Sequence, residues 1–454
     1  MTIKKMNYGQ VVLLGFGFLG ISLLWAVYNA YVPIFLQAGN PQLRLTGPAA
    51  AINGFGLSAF VTGIIMSLDN VAAVFIQPWI GVKSDRTRTR FGRRIPYILF
   101  GAPVTVLGFV VIPLAVKQIP PHLSGQFSQL TGPFLFLIIA LGITLLAAAV
   151  YRTPAIALMP DVVPSRFRSP ANGIVNLMGG LGVVIGLFAG GWLFDRDITL
   201  PFIVGGAIVL LSSAVVVIFI KEPQDCEQGP VPAAQPGLLD NLRHVWRDEN
   251  RSVLNLLLAI FAWFLAYNSL ETFFTSYATF ELGVSAGRAS QLFTIAGGVF
   301  ILFAVPSGYI AGRFGRRRTI TGGLAGFVLG VLLILVINNV AIVTAALVVV
   351  GASWALVNIN SLPMVVDSVS QTQLGAYTGL YYFASMSAAI VGPVIIGQMV
   401  DVLGYRAMFL ASALARAAAA LLLSRVTTGE ALTDDEPVAA IDSTPGVLRP
   451  ERDE

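Results

Sequence analysis

Twelve apolar runs, each near the roughly 20 residues a helix needs to cross a hydrocarbon core, take up most of this 454-residue chain. They fall near residues 9–36, 53–80, 95–116, 133–159, 170–193, 199–220, 252–279, 288–312, 319–337, 340–366, 375–400 and 405–424. Backbone N–H and C=O groups in lipid find no water, so each must be satisfied inside its own segment. Runs of this length therefore read as helices despite their many Gly and β-branched residues. Composition excludes the alternative of a soluble protein. Charged residues make up 11% of the chain and hydrophobic ones 56%, whereas ordinary soluble domains carry roughly 25% charged residues. The fold class expected is an all-α membrane protein with twelve transmembrane helices.

The formal charge of +5 does not point to nucleic acid, because the basic residues sit in short clusters between apolar runs and form no amphipathic stripe. Lys83, Arg86, Arg88, Arg90, Arg93 and Arg94 follow the second run, Arg166 and Arg168 the fourth, and Arg313, Arg316, Arg317 and Arg318 the eighth. The alternate connections hold little beyond Arg44, Lys117, Arg196, Arg288 and Arg406. The positive-inside rule then puts the arginine-rich loops and both termini in the cytoplasm, as an even number of spans requires. Lys4 and Lys5 precede an apolar run that continues to Phe35 without a small-residue cleavage site, so it reads as a retained first span. Together these point to the bacterial cytoplasmic (inner) membrane. The single cysteine, Cys226, allows no intramolecular disulfide and no thiol metal cluster. His122 and His244 are the only histidines and lie between the apolar runs; with no clustered acids, a multispan enzyme is disfavoured, and no cofactor or metal is expected.

The chain repeats itself. Tyr28-Asn29 in the first run answers to Tyr267-Asn268 in the seventh, and Phe91-Gly92-Arg93-Arg94 answers to Phe314-Gly315-Arg316-Arg317. Asp161 and Asp195 bracket the fifth run, and Asp367 and Asp401 bracket the eleventh at the same separation. Residues 1–220 and 252–425 thus form two six-helix halves in parallel repeat. Between them, residues 221–251 make a cytoplasmic linker with one amphipathic piece, Leu238 to Trp246, and residues 426–454 make an acidic tail expected to be disordered.

The stretch from Gln77 through Pro78, Gly81, Asp85, Arg90, Phe91, Gly92, Arg93 and Arg94 to Pro96 resembles the loop after the second helix in glycoside-cation symporters, the sucrose-carrier and melibiose-permease branch of the major facilitator superfamily. Pro154 with Ala157-Leu158-Met159-Pro160-Asp161, and the run Trp354 to Ser361, extend that resemblance over nearly all of the membrane portion. The resemblance implies a monomeric transporter that moves a sugar or glycoside with a cation by alternating access. Two departures bear on the cation. The positions of the melibiose permeases' sodium-binding carboxylates match Ala73 and Gln77, and that of the sucrose carriers' proton-linked acid matches Leu145. A proton handled by another acid is the remaining expectation.

Charges inside the bilayer are costly and functional by default, which singles out Asp69, Arg152 and Glu271 for proton coupling. Sugar recognition calls for amides, acids and aromatic faces; Tyr28, Asn29, Gln77, Asn268, Glu271, Trp354, Asn358 and Asn360 supply these, although each alone could be helix-helix glue. In the loop motif, Gly81 can let two helices approach, and Asp85 can pair with arginines of the turn. Gly81, Asp85, Arg90, Arg93, Arg94, Asp161, Arg316 and Asp367 are accordingly the expected inner gate. A proton-driven exporter of drugs or metabolites shares these features, and a non-transporting sugar sensor also fits. The partners expected are a small-molecule substrate, protons and the lipid bilayer. Topology has its own test: reporter fusions at Glu430 and within residues 117–130 should show opposite sidedness, and equal sidedness would contradict the count of spans.

Overall fold

The computed structural model describes residues 7–43, 52–164, 167–222, 238–247, 251–369 and 373–430. Its helices are α1 (Tyr8–Gln37), α2 (Ala59–Arg86), α3 (Ile95–Lys117), α4 (Thr131–Val162), α5 (Arg168–Phe194) and α6 (Leu200–Phe219). After them come α7 (Leu238–Arg247), α8 (Ser252–Phe280), α9 (Ala286–Phe314), α10 (Arg316–Val336), α11 (Val340–Val366), α12 (Leu374–Leu403) and α13 (Arg406–Leu423). All but α7 are long and apolar enough to cross a membrane, twelve in total among the described residues. The amphipathic piece of the linker forms α7, with Val245 buried and Trp246 exposed. The acidic stretch after Glu430 lies outside the described residues, as do Arg44 and Arg166.

One helix, α2, differs from expectation by six residues at both ends. Residues 53–58 are extended rather than helical, because Gly56 takes a positive φ of 68° and Ser58 caps α2 by accepting from the Val61 amide. The segment pairs instead with the end of α1: the amides of Phe55, Gly56 and Leu57 donate to the carbonyls of Phe35, Ala38 and Leu36. A rule based on apolarity extended this helix at its start. It also cut the helix short at Ile80, since the helix runs on through charged Lys83 and Asp85 to Arg86.

Helices α1–α6 pack among themselves, mainly α1 on α5 and α6 and α3 on α4 and α6, while α8–α13 repeat the scheme with α8 on α12 and α13 and α10 on α11 and α13. At the arginine-rich end each half is tied by the same device. Gly92 and Gly315 both take positive φ, 105° and 87°, and so turn the chain into α3 and α10. Asp161 then accepts from Arg93 at 2.6 Å and from Arg94 at 3.0 Å, with Arg94 also holding Asp85 and Ser84. In the second half Arg316 pairs with Asp367. A carboxylate from beyond the last helix of each half caps the free amides: Glu222 accepts from the amides of Arg93 and Arg94 at 2.9 and 2.8 Å, and Glu430 from those of Arg316 and Arg317 at 2.8 and 3.2 Å.

The opposite end joins the halves. The Asp401 carboxylate, at the end of α12, accepts from the amides of Ala59 and Phe60 at 2.7 and 2.8 Å, at the start of α2. Asp195, after α5, accepts from the Ser285 hydroxyl at 2.7 Å and the Gly287 amide at 3.0 Å, at the start of α9. Each acid therefore binds the positive end of a helix in the other half. Tyr405 and Gln37 add a further cross-half hydrogen bond. Backbones meet here closely: a Cβ on Gly287 would lie 2.0 Å from the Gly191 carbonyl, and one on Gly63 2.2 Å from that of Pro393.

Toward the arginine-rich end the same helices part. A side chain added at Gly173, Gly298, Gly308 or Gly379 would meet nothing within 4 Å, and the last α5–α9 approach of this kind is Gly180 against Ile301. The close approaches and cross-half hydrogen bonds between the two halves gather toward the arginine-poor end. If the two acids hold it shut, Asp195→Asn combined with Asp401→Asn removes charge-assisted bonds worth about 1.5–3 kcal/mol each. In a Cys226→Ser background, modification of a cysteine introduced at buried Val400 should then accelerate about tenfold or more, and an unchanged rate would contradict the latch.

Candidate substrate and coupling site

Between the halves, near the middle of the helices, lies a cavity of about 350 Å³. It lies within the roughly 300–1,000 Å³ of small-molecule sites. Its polar lining comes from both halves: Asn29 on α1, Asn70 on α2, Arg152 on α4, and Asn268, Glu271 and Thr275 on α8. Trp25, Tyr267 and Phe293 supply aromatic surface. Across it the Asn29 amide donates to the Glu271 carboxylate at 3.1 Å, and one turn farther along α8 the Thr275 hydroxyl donates to the Ala30 carbonyl at 2.7 Å. The repeated Tyr-Asn pairs thus place one asparagine from each half on the cavity wall.

Helical spacing explains this set. Asn268, Glu271 and Thr275 recur at i, i+3 and i+7, one face of α8, and α8 is the helix of its half that packs most against α1. Tyr267 is held flat by Trp354, whose ring stacks on it at 4.1 Å and 6°. Tyr28 is fully buried and set edge-on to Trp25 at 5.3 Å. These two aromatics of the expected substrate set, Trp354 and Tyr28, therefore back the wall rather than form it.

Among the other expected residues, Asp69 does not line the cavity; it accepts from the Asn70 side chain at 2.8 Å and sits within electrostatic reach of Arg152 and Glu271. No ion pair joins Asp69 to Arg152 among the described residues. Gln77 lies half-buried farther along α2. Asn360 is placed away from the cavity: it is buried and bridges α11 to α9 by donating to Ser307 at 2.9 Å, which is helix-helix glue. Asn358 is half-buried on α11 and lines no part of the cavity.

In the expected gate set, Asp85, Arg93, Arg94, Asp161, Arg316 and Asp367 form the two ion networks already described, each inside one half. Arg90 is outside them and stacks on Phe91, 4.7 Å from the ring centroid. Gly81 shows no close helix approach: its nearest neighbour to an added Cβ is a Thr153 methyl at 3.7 Å, ordinary van der Waals distance. Its carbonyl matters instead, accepting from Ser84 at 2.9 Å.

Sequence reasoning missed Asn70, whose neighbour Asp69 drew attention alone, and the caps Glu222 and Glu430. It also missed Arg416, in the middle of α13 and wholly buried. The signal was present in each case, since an arginine amid an alanine-rich span is as costly as Asp69. Glu222 and Glu430 each follow the last helix of a half, shortly after α6 and α13.

The chain is similar to several known carriers. Multidrug resistance protein 2 of Bacillus subtilis is 22% identical over 321 residues, which is 68% of this chain and 69% of that protein. Sucrose transport protein SUC3 of Arabidopsis thaliana is 28% identical over 176 residues, covering 37% of this chain and 29% of its own length. The crystal structure of a D-xylose-proton symporter is similar with a TM-score of 0.65 at 14% identity, covering 92% of this chain and 97% of the other. These similarities reach both drug-resistance and sugar carriers, so they do not single out the glycoside-cation branch. The family profile of the Major Facilitator Superfamily matches residues 14–304 and 272–445, and the chain belongs to that superfamily: it is a multi-pass membrane transporter and not an enzyme.

Proposed function

We propose that the chain is a proton-coupled symporter of a sugar or glycoside, working as a monomer in the bacterial inner membrane with its arginine-rich end toward the cytoplasm. The observation that carries this reading is the Asn29–Glu271 hydrogen bond spanning a cavity walled by amides, one arginine and aromatic side chains. A polyhydroxylated ring offers donors and acceptors at every edge and an apolar face. Asn29, Asn70, Asn268 and Arg152 supply complementary groups, and Tyr267 and Trp25 supply faces. The sucrose-carrier and xylose-proton-symporter similarities support the same substrate class.

Coupling falls to Asp69 and Glu271, the mid-span acids of the two halves. A carboxylate in this setting is costly when charged, and protonation removes that charge. It thereby lowers the cost of rearranging the surrounding wall. A proton and a substrate that both stabilise the rearranged state promote each other's binding, as linkage requires. An exporter is the second reading, favoured by the coverage of the multidrug resistance relative.

In proteoliposomes, an imposed proton gradient should drive accumulation of a labelled glycoside drawn from a sugar panel. Asp69→Asn should abolish accumulation while sparing substrate exchange, which moves no net proton. Arg152→Gln should shift the pH optimum upward. Proton-dependent accumulation by Asp69→Asn would remove that residue from coupling and leave Glu271, and export of aromatic cations with no sugar uptake would replace the symport reading.

A further inference from the structure

Each half of the molecule carries one acid and one arginine in mid-span. In α1–α6 these are Asp69 and Arg152; in α8–α13 they are Glu271 and Arg416, the remaining charges of that half lying at helix ends or in connections. Arg152 faces the cavity. Arg416 does not: it is fully buried, with its guanidinium 3.3 Å from the centre of the Phe327 ring. Its Nη1 reaches the Ser412 carbonyl at 3.4 Å, while Nε and Nη2 have no hydrogen-bond partner. A ring face offsets part of the cost of a buried cation, but two unpaired donors on a buried arginine are far from satisfied.

Tyr267 is the group within electrostatic reach of Arg416, and the acid of the same half that lies beyond it is Glu271. Tyr267 lies one turn before Glu271 on the same face of α8 and is within electrostatic reach of both Glu271 and Arg416. Helices α8 and α13 pack along their length, with Ser412 against the Ala266 carbonyl and Phe409 against Tyr277. Side chains on a helix lean toward its N-terminus, so Arg416 leans along α13 toward Arg406, the end at which Glu271 lies on antiparallel α8. In the present state Glu271 is engaged by Asn29 of the other half. That bond spans the two halves, so a separation of the halves at its level breaks it.

We infer that Arg416 is the alternative partner of Glu271: when the arginine-poor end opens and Asn29 withdraws, Glu271 turns past Tyr267 to pair with Arg416. The exchange makes Arg416 a positioning residue for the transport cycle. It replaces a hydrogen bond between halves by an ion pair within one half, so neither end state leaves the acid unattended. The inference rests on the reading of Glu271 as a working group of the cavity. Its test uses no substrate, so it can fail independently of the sugar assignment.

The full-length protein, with Cys226→Ser, is spin-labelled at His122→Cys and Val336→Cys, exposed positions at the arginine-poor ends of opposite halves. Interspin distances then report opening of that end. Asn29→Ala frees Glu271 and should raise the long-distance fraction about fivefold or more, the scale of a typical coupling. Adding Arg416→Gln should abolish that gain, whereas Arg416→Lys, which keeps the charge, should retain most of it. Adding Glu271→Gln to Asn29→Ala should match Arg416→Gln, and combining all three should lower the fraction no further. No gain with Asn29→Ala, or a gain that survives Arg416→Gln, would overturn the inference. Should Arg416→Gln alone not fold, the doubly neutral Glu271→Gln, Arg416→Gln variant must be recovered better than the single one, since it leaves no lone buried charge; equal loss of both would also overturn it.

Discussion

An ionised group in the middle of a membrane costs about 3 kcal/mol even by lenient measures, and the interior of this transporter holds four: Asp69, Arg152, Glu271 and Arg416. Two acids and two arginines sum to zero, one of each in every half. That balance lets the charges be present at all, yet no ion pair fixes them among the described residues. Asp69 rests on Asn70, Glu271 on Asn29, and Arg416 on a ring face. Neutral or weak partners leave the acids able to exchange partners, which a transporter needs and a purely structural ion pair would prevent.

The surrounding frame serves the same end. At the arginine-rich end the ion networks stay inside each half, tying α2, α3 and α4 to Glu222 on one side and α10 and α11 to Glu430 on the other. Each half can then move as a unit. At the opposite end Asp195 and Asp401 reach across to helix starts in the partner half. Bonds of this kind are made or lost as a set when the halves rock, and the cavity holding Glu271 lies between the two ends. In the proposed cycle, rocking changes which side reaches the cavity and which partner Glu271 keeps.

Much of this was legible in the sequence for physical reasons that differ by feature. Apolar length declared the spans, because lipid leaves the backbone no other solution. The failure at residues 53–58 arose because apolar residues there pair with the end of α1, a long-range choice that hydropathy does not encode. The repeat of Tyr-Asn located one cavity asparagine in each half, while Asn358 and Asn360, chosen for residue type alone, proved to sit elsewhere. Residue type cannot tell a cavity face from a helix-packing face when both are made of amides. The sequence shows Arg416 as a charge inside an apolar span, but its place against Phe327 and α8 comes only from packing.

The central claim is that inward movement of a glycoside carries positive charge, since a proton accompanies a neutral sugar. Transient currents recorded from proteoliposomes on a solid-supported membrane measure this directly, without any imposed gradient. The account predicts that adding the transported glycoside produces an inward positive current that disappears in Asp69→Asn. Substrate transport with no current, or with a current of opposite sign, would contradict it.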